Sequence, residues 1–325
     1  LGKGICPSIK RLFDVEPKLQ VLGGLSILTH RISLLKGFLE NVDEDGYVKA
    51  EIQGLTNTLR FKHKVCLNLP GVDKPYGEDI RGCLIAPDGY ELLGSDMAAL
   101  EDSTKQHYMW KFDPDYVRDM MQPGYCPHVD IGVLAGFLTK EQEGRHKLES
   151  FFDGGDKETI LAGRKRAKPV NYGGVYGQGP PGLAQTTGMP LSQAVALHKV
   201  YWERNWSVKA IADDQVTKTC NGRMWLYNPV SQLWYSLRYA KDKFSTLNQG
   251  TGVYCFDTWV KWLRVRKLPM TAQFHDEVVC CIKEGSRERA TSVCKWAIDK
   301  TNEELKLNRD LDCSIDFGGS YAEIH

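Results

Sequence analysis

The stretch that decides the fold is Arg164-Lys165-Arg166-Ala167-Lys168-Pro169-Val170-Asn171-Tyr172-Gly173-Gly174-Val175-Tyr176-Gly177. On a helix, Arg164, Lys168, Tyr172 and Tyr176 recur at every fourth residue and so share one face. Two cations followed by two aromatics suit a ligand with a phosphate end and a planar end, such as a nucleoside triphosphate. The plainer alternative is a solvated basic turn followed by core tyrosines. Pro169 directly follows Lys168, and an interior proline costs a helix on the order of 3 kcal/mol. We therefore expect a kink there, or a helix that begins at about Lys168. Gly173-Gly174 adds an expectation of mobility just beyond.

The surrounding chain has 325 residues, 42% of them hydrophobic, 10% aromatic and 26% charged. That is enough to build two or three cores, and it argues against disorder, collagen-like repeats or a coiled coil. Lys and Arg number 42 against 41 Asp and Glu, a net charge of +1. Taken in bulk, that balance argues against a polyanion as partner. No apolar run approaches the roughly 18 residues of a membrane helix, and Val278 to Ile282 suits a buried strand. Ten cysteines without a CxxC pair signal neither a zinc site nor a disulfide framework. Adjacent Cys280 and Cys281 should point to opposite faces of their strand, and the usage fits a reduced, cytoplasmic protein. Leu1 has no leader behind it and reads as the start of a fragment or processed chain.

Hydrophobic spacing predicts a helix over 18–41 from Val21, Leu25, Leu28, Ile32, Leu35 and Leu39, then a strand from Tyr47 to Ile52. Residues 82–96 read as a hairpin turning at Pro87-Asp88-Gly89, followed by a helix from about Glu101 to Phe112. The region 113–240 reads as mostly helical, interrupted by short strands near 216–237. A long helix over 244–264, a strand pair around His275-Asp276, a helix over 286–306 and a strand near 311–317 complete the chain.

Two further segments carry chemistry. Leu92-Leu93-Gly94-Ser95-Asp96-Met97-Ala98-Ala99-Leu100-Glu101 ends an apolar strand in an aspartate and starts a helix with a glutamate. A carboxylate at a strand end holds a divalent cation rigidly, although Asp96 would equally serve as a helix cap. Gln273-Phe274-His275-Asp276-Glu277-Val278-Val279 reads as a tight hairpin with acids at its tip, which solubility alone would also explain.

In this order, the three segments resemble the signature motifs of family A DNA polymerases, the bacterial DNA polymerase I type, and also of the phage replicative branch. The matches are to D-x-x-x-x-E, to R-x-x-x-K-x-x-x-[FY]-G-x-x-Y-G at every fixed position, and to H-D-E. Weaker likenesses extend the match across nearly the whole chain. Leu67-Asn68-Leu69-Pro70 with Arg81 resembles the segment before the first motif, and His128 the family's D-I-H histidine. Gln249-Gly250-Thr251 resembles its Q-G-T, and Tyr321 to His325 its natural carboxyl end.

The resemblance implies an α+β right-hand polymerase fold: a palm with an antiparallel sheet, helical fingers and a truncated thumb. The boundaries expected are a thumb remnant over 1–55, palm over 56–112 and 241–325, and fingers over 113–240. It implies template-directed DNA synthesis on primer-template DNA from dNTPs, with two Mg²⁺ ions for which Mn²⁺ can substitute. Asp96, Asp276 and the Met97 carbonyl would hold metal, and Lys168 would join the two aspartates as catalytic. Arg164, Lys168, Tyr172, His128 and Glu101 would bind the nucleotide, with Glu101 excluding a ribose 2′-hydroxyl. Tyr176, Gln249, His275, Arg60 and Arg81 would meet DNA. A processivity factor would dock through the missing thumb region, no membrane would be involved, and a phage-encoded chain would work in the host cytoplasm.

The chain also departs from the family pattern. The T-G-R segment is degraded to Thr56-Asn57-Thr58, with Arg60 two places late. Asp102-Ser103 replaces Leu-Arg after Glu101, which removes a cation beside the centre. Cys126 stands where the histidine motif has aspartate, and Lys241 and Ser245 where arginine and asparagine are usual. Two rival readings are a single-subunit RNA polymerase and an inactive, DNA-binding polymerase-like subunit. Glu101, Tyr172-Gly173 and the complete His-Asp-Glu oppose the first, and retention of both aspartates opposes the second.

Overall fold

The computed structural model describes residues 6–66, 69–175 and 177–324. A short helix α1 (Pro7–Lys10) and a 3-10 turn (Pro17–Val21) lead into α2 (Leu22–Asn41). The periodic leucines do form that helix, yet Leu25, Ile32 and Leu39 are exposed and only Phe38 is buried. A hairpin of β1 (Ile52–Leu55) and β2 (Phe61–His63) follows, then α3 (Gly77–Gly82) and β3 (Tyr90–Asp96). The strand expected over Tyr47 to Ile52 is reduced to one bridge, Val42 to Val48. The cause is Asp43, whose carboxylate accepts from the backbone of Asp45 at 3.2 Å and Tyr47 at 2.8 Å and so turns the chain.

Eight helices come next: α4 (Leu100–Met109), α5 (Pro114–Met120), α6 (Pro127–Leu134), α7 (Lys140–Leu148), α8 (Gly154–Val175), α9 (Pro180–Thr187), α10 (Leu191–Arg204) and α11 (Trp206–Asp214). Their starts are legible. Asp113 caps α5 ahead of Pro114, and Thr139 with Gln142 forms a capping box on α7. A three-stranded meander of β4 (Thr217–Cys220), β5 (Arg223–Asn228) and β6 (Leu233–Leu237) interrupts the helices. The chain closes with α12 (Lys243–Val265), β7 (Met270–Phe274), β8 (Glu277–Lys283), α13 (Arg287–Leu305) and β9 (Asp316–Gly318).

The central sheet is antiparallel in the order β7-β8-β3-β9. Its period-two alternation divides the core. Leu93, Val278, Cys280 and Ile282 face Trp259 and Leu263 of α12 and Cys294 and Ala297 of α13, while Leu92 and Val279 face Tyr321 and Ile324. Cys280 and Cys281 accordingly join opposite clusters, and all ten cysteines are free thiols. The hairpin expected over 82–96 does not form. Both edges of β3 are taken by β8 and β9, so Leu84 and Ala86 bond to Tyr321 and Gly319 of the carboxyl-terminal segment. Among the described residues, no helix is long and apolar enough to cross a membrane.

The helix does not begin at Lys168: α8 runs over 22 residues with Pro169 inside it. The carbonyl four places back, deprived of its donor, belongs to Lys165 on the exposed side. Ala167 and Val170, which flank the proline, are fully buried with Ile131, Leu183, Leu197 and Tyr201. Tertiary packing thus holds a helix that local propensity disfavours. Gly174 has a packing role, since a Cβ there would lie 2.2 Å from the Tyr201 ring.

Candidate active site

Strand pairing delivers the first acid. β3 ends at Asp96, opposite Glu277 in the ladder with β8, and Asp96 is clamped from the other side by Ser314, whose N–H donates to its carbonyl at 2.9 Å. The β7–β8 hairpin turns on His275-Asp276, with His275 in the left-handed region at φ 54°. The Met97 N–H donates to the Asp276 carbonyl at 2.9 Å, so the strand end and hairpin tip are joined through the backbone. Asp96, Met97, Glu101 and Asp276 consequently line one cavity of about 190 Å³.

The remaining walls of that cavity come from α4, α8 and α12 through Asp102, Lys105, Asn171, Tyr172 and Asn248. Asn248 is locked in place: it donates to the Glu101 carbonyl at 2.9 Å and accepts from Thr104 at 2.9 Å. Lys105 is buried and pairs with Asp102 at 2.8 Å. The cation missing after Glu101 is therefore partly replaced one turn later, which the motif alone did not reveal. Arg60 Nη2 lies 3.7 Å from Glu101 Oε1, so the shifted arginine still reaches this centre.

Burial raises the pKa of Asp276 above the usual carboxylate range; Arg60 opposes the rise, while Glu101 and Glu277 add to it. Burial also works to raise Asp102, but Lys105 outweighs it and the net displacement is downward. Among the described residues, no three or more His, Cys, Asp or Glu side chains form a ready cation cage. The donors present nonetheless fit Mg²⁺, which keeps much of its water and accepts one or two carboxylates together with substrate phosphate oxygens. A bound cation would offset the burial that raises the Asp276 carboxyl.

Helix α8 sets out the other half of the site. Lys168 Nζ lies 5.8 Å from the centre of the Tyr172 ring, and the His128 ring of α6 lies 5.4 Å from it. Arg164 Nε donates to Cys126 Sγ at 3.2 Å, at the start of α6. Asn171, buried and 3.4 Å from His128 Nδ1, lies off the four-residue stripe, so spacing gave no sign of it. Burial, Arg164, Lys168 and Lys105 push the His128 pKa down to about 4 against the pull of Asp102, so the ring is neutral near pH 7. Tyr172 is 44% exposed and looks into the acidic cavity.

Gln249 lines a separate polar cleft of about 760 Å³ with Asn57, Lys62, Arg223 and Arg238. None of those three cations belongs to a motif; only the tertiary contact of β1–β2 with the meander gathers them. His275 stands at the hairpin tip, its pKa lowered by burial and then by Arg60 and His63. Arg81, expected to meet DNA, is largely enclosed by protein. It is buried, its Nε donates to the Pro70 carbonyl at 2.6 Å, and its guanidinium lies 4.8 Å from the Tyr321 ring centre. The carboxyl-terminal segment folds over it, and its buried Nη1 is left without a hydrogen-bond partner among the described residues. Tyr176, Leu67, Asn68 and His325 lie outside the described residues.

No protein-family model matches the chain. It is 24% identical over 270 residues to the thermostable DNA polymerase I of Thermus aquaticus, covering 77% of this chain and 29% of that protein. It is 25% identical over 248 residues to the corresponding polymerase of Thermus thermophilus, covering 72% and 27%. The chain thus spans under a third of the length of these curated relatives. Its fold is similar to the POL domain of Pol1 from M. smegmatis, solved in complex with DNA primer-template and dNTP. That match has a TM-score of 0.70 at 20% identity over 98% of this chain and 56% of the other. The right-hand polymerase fold and the resemblance to family A polymerases are borne out.

Proposed function

We propose, from the polymerase fold and the similarity to DNA polymerase I, that this chain extends a DNA primer from dNTPs on a template strand. The observation that carries the reading is the backbone bond from Met97 to Asp276, which holds both acids at one cavity beneath Tyr172. In the reaction, the primer 3′-hydroxyl loses its proton to solvent, its oxygen attacks the α-phosphorus, a new P–O bond forms, and the bond to pyrophosphate breaks. Two divalent ions, held by Asp96, Asp276 and the Met97 carbonyl, would activate the attacking oxygen and neutralise the triphosphate.

The chain's own groups do the rest. Arg164 offers a planar fork and Lys168 a point charge to the phosphates, while neutral His128 donates a single N–H. Tyr172 stacks beside the incoming base and sugar, and Glu101, braced by Arg60, occupies the space of a ribose 2′-hydroxyl. Gln249, Lys62, Arg223 and Arg238 would track the duplex, and His275 the primer end. We place palm over 56–112 and 241–325, fingers over 113–240 and a thumb remnant over 1–55. Arg81 takes no direct part in DNA contact in this scheme.

Single-nucleotide extension with Mg²⁺ tests the reading. Asp96→Asn and Asp276→Asn should each lower extension by about 10³-fold or more while primer-template affinity stays within a few-fold. Undiminished extension by both variants would refute the assignment, and preference for ribonucleotides would favour an RNA polymerase.

A further inference from the structure

We infer that Cys126 is a positioning residue for Arg164, and through it sets how tightly the chain holds a nucleoside triphosphate. The inference rests on the polymerase reading above. Cys126 is the residue just before α6, and its carbonyl accepts from Val129 and Asp130, each at 3.0 Å. Those bonds pin its backbone. Its side chain makes no capping bond, so the sulfur is left for Arg164 Nε at 3.2 Å.

The consequence follows from guanidinium geometry. With Nε engaged, the two terminal nitrogens remain as the donors that can meet phosphate oxygens, and their plane is fixed. A long side chain held in its binding rotamer loses less entropy when the ligand arrives. The same helix start carries His128 two residues on, so one local structure aims two of the expected phosphate donors. Thiol sulfur is a weak acceptor, whereas the aspartate of the family pattern would make a charge-assisted bond. The substitution therefore loosens the tether without abolishing it.

The test measures extension kinetics on a primer-template, with dNTP binding to a dideoxy-terminated primer-template by calorimetry. Cys126→Ala should raise the KM and Kd for dNTP roughly threefold to tenfold, the worth of one modest hydrogen bond. Its kcat should change by less than about twofold, because the bond is made equally in ground and transition states. Cys126→Asp should restore wild-type KM or better. In an Arg164→Lys background, which lacks the Nε–H donor, Cys126→Ala should add little, whereas a general loosening of α6 would add its penalty undiminished. An unchanged KM in Cys126→Ala, or a penalty that persists with Arg164→Lys, overturns the inference alone. A wild-type chain that neither extends primer nor binds dNTP overturns the polymerase reading and the inference together.

Discussion

The backbone N–H of Met97 donates to the carbonyl of Asp276 across 2.9 Å, which fixes the end of β3 to the tip of the β7–β8 hairpin. Two segments distant in sequence, each carrying an aspartate, are thereby joined through their main chains. A rigid pair of this kind keeps its place when charge arrives, which is the condition for electrostatic preorganisation.

Asp276 has a consequence for stability. Its carboxyl is raised above the ordinary value of 3.8, first by burial. The folded chain then binds that proton more tightly than the unfolded chain, so stability falls as pH rises through the interval above 3.8. Asp276→Asn should melt higher than wild type at neutral pH in a chelator. The advantage should vanish in acid below the ordinary carboxylate value. Added Mg²⁺ should raise the wild-type Tm and leave the variant nearly unmoved. Thermal melts across pH with and without metal measure all three.

His128 behaves in the opposite sense. Its pKa is pushed down to about 4 from 6.5, chiefly by burial. The unfolded chain takes up a proton below 6.5 that the folded chain refuses, so stability is lost as pH falls towards 4. His128→Gln should flatten that acid loss by up to about 3 kcal/mol, read from urea unfolding at several pH values.

Adjacent glycines should respond differently. A Cβ on Gly174 would lie 2.2 Å from the buried Tyr201 ring, which has nowhere to move. A Cβ on Gly173 would meet the end of the Gln178 side chain at 2.1 Å, which can swing aside. Gly174→Ala should cost about 1–3 kcal/mol and Gly173→Ala clearly less, by denaturant midpoints at constant slope.

Pro169→Ala restores a donor to the Lys165 carbonyl within an already continuous α8. The gain should be partly offset by the greater freedom of the unfolded chain, leaving a net stabilisation of about 1 kcal/mol. A lower Tm in the variant would show that the proline is shaped to its surroundings.

By itself, the sequence determined what is local or period-dependent. It yielded a helix over 244–264, found at Lys243–Val265, the His275-Asp276 hairpin, the opposite facing of Cys280 and Cys281, and the three motifs, because spacing and turn chemistry act over a few residues. Its net charge of +1 argues against the polyanion that the proposed function requires, because an average cannot show Arg164 and Lys168 concentrated on one helix face and the acids on another wall. Tertiary structure decided the rest. It chose β8 and β9 as partners of β3 in place of a local hairpin, kept α8 unbroken across Pro169, turned Arg81 inward, and brought Arg60 and Lys105 to the acidic cavity. Each of these depends on burial and pairing between segments far apart in the chain, where packing outweighs the preferences of any single stretch.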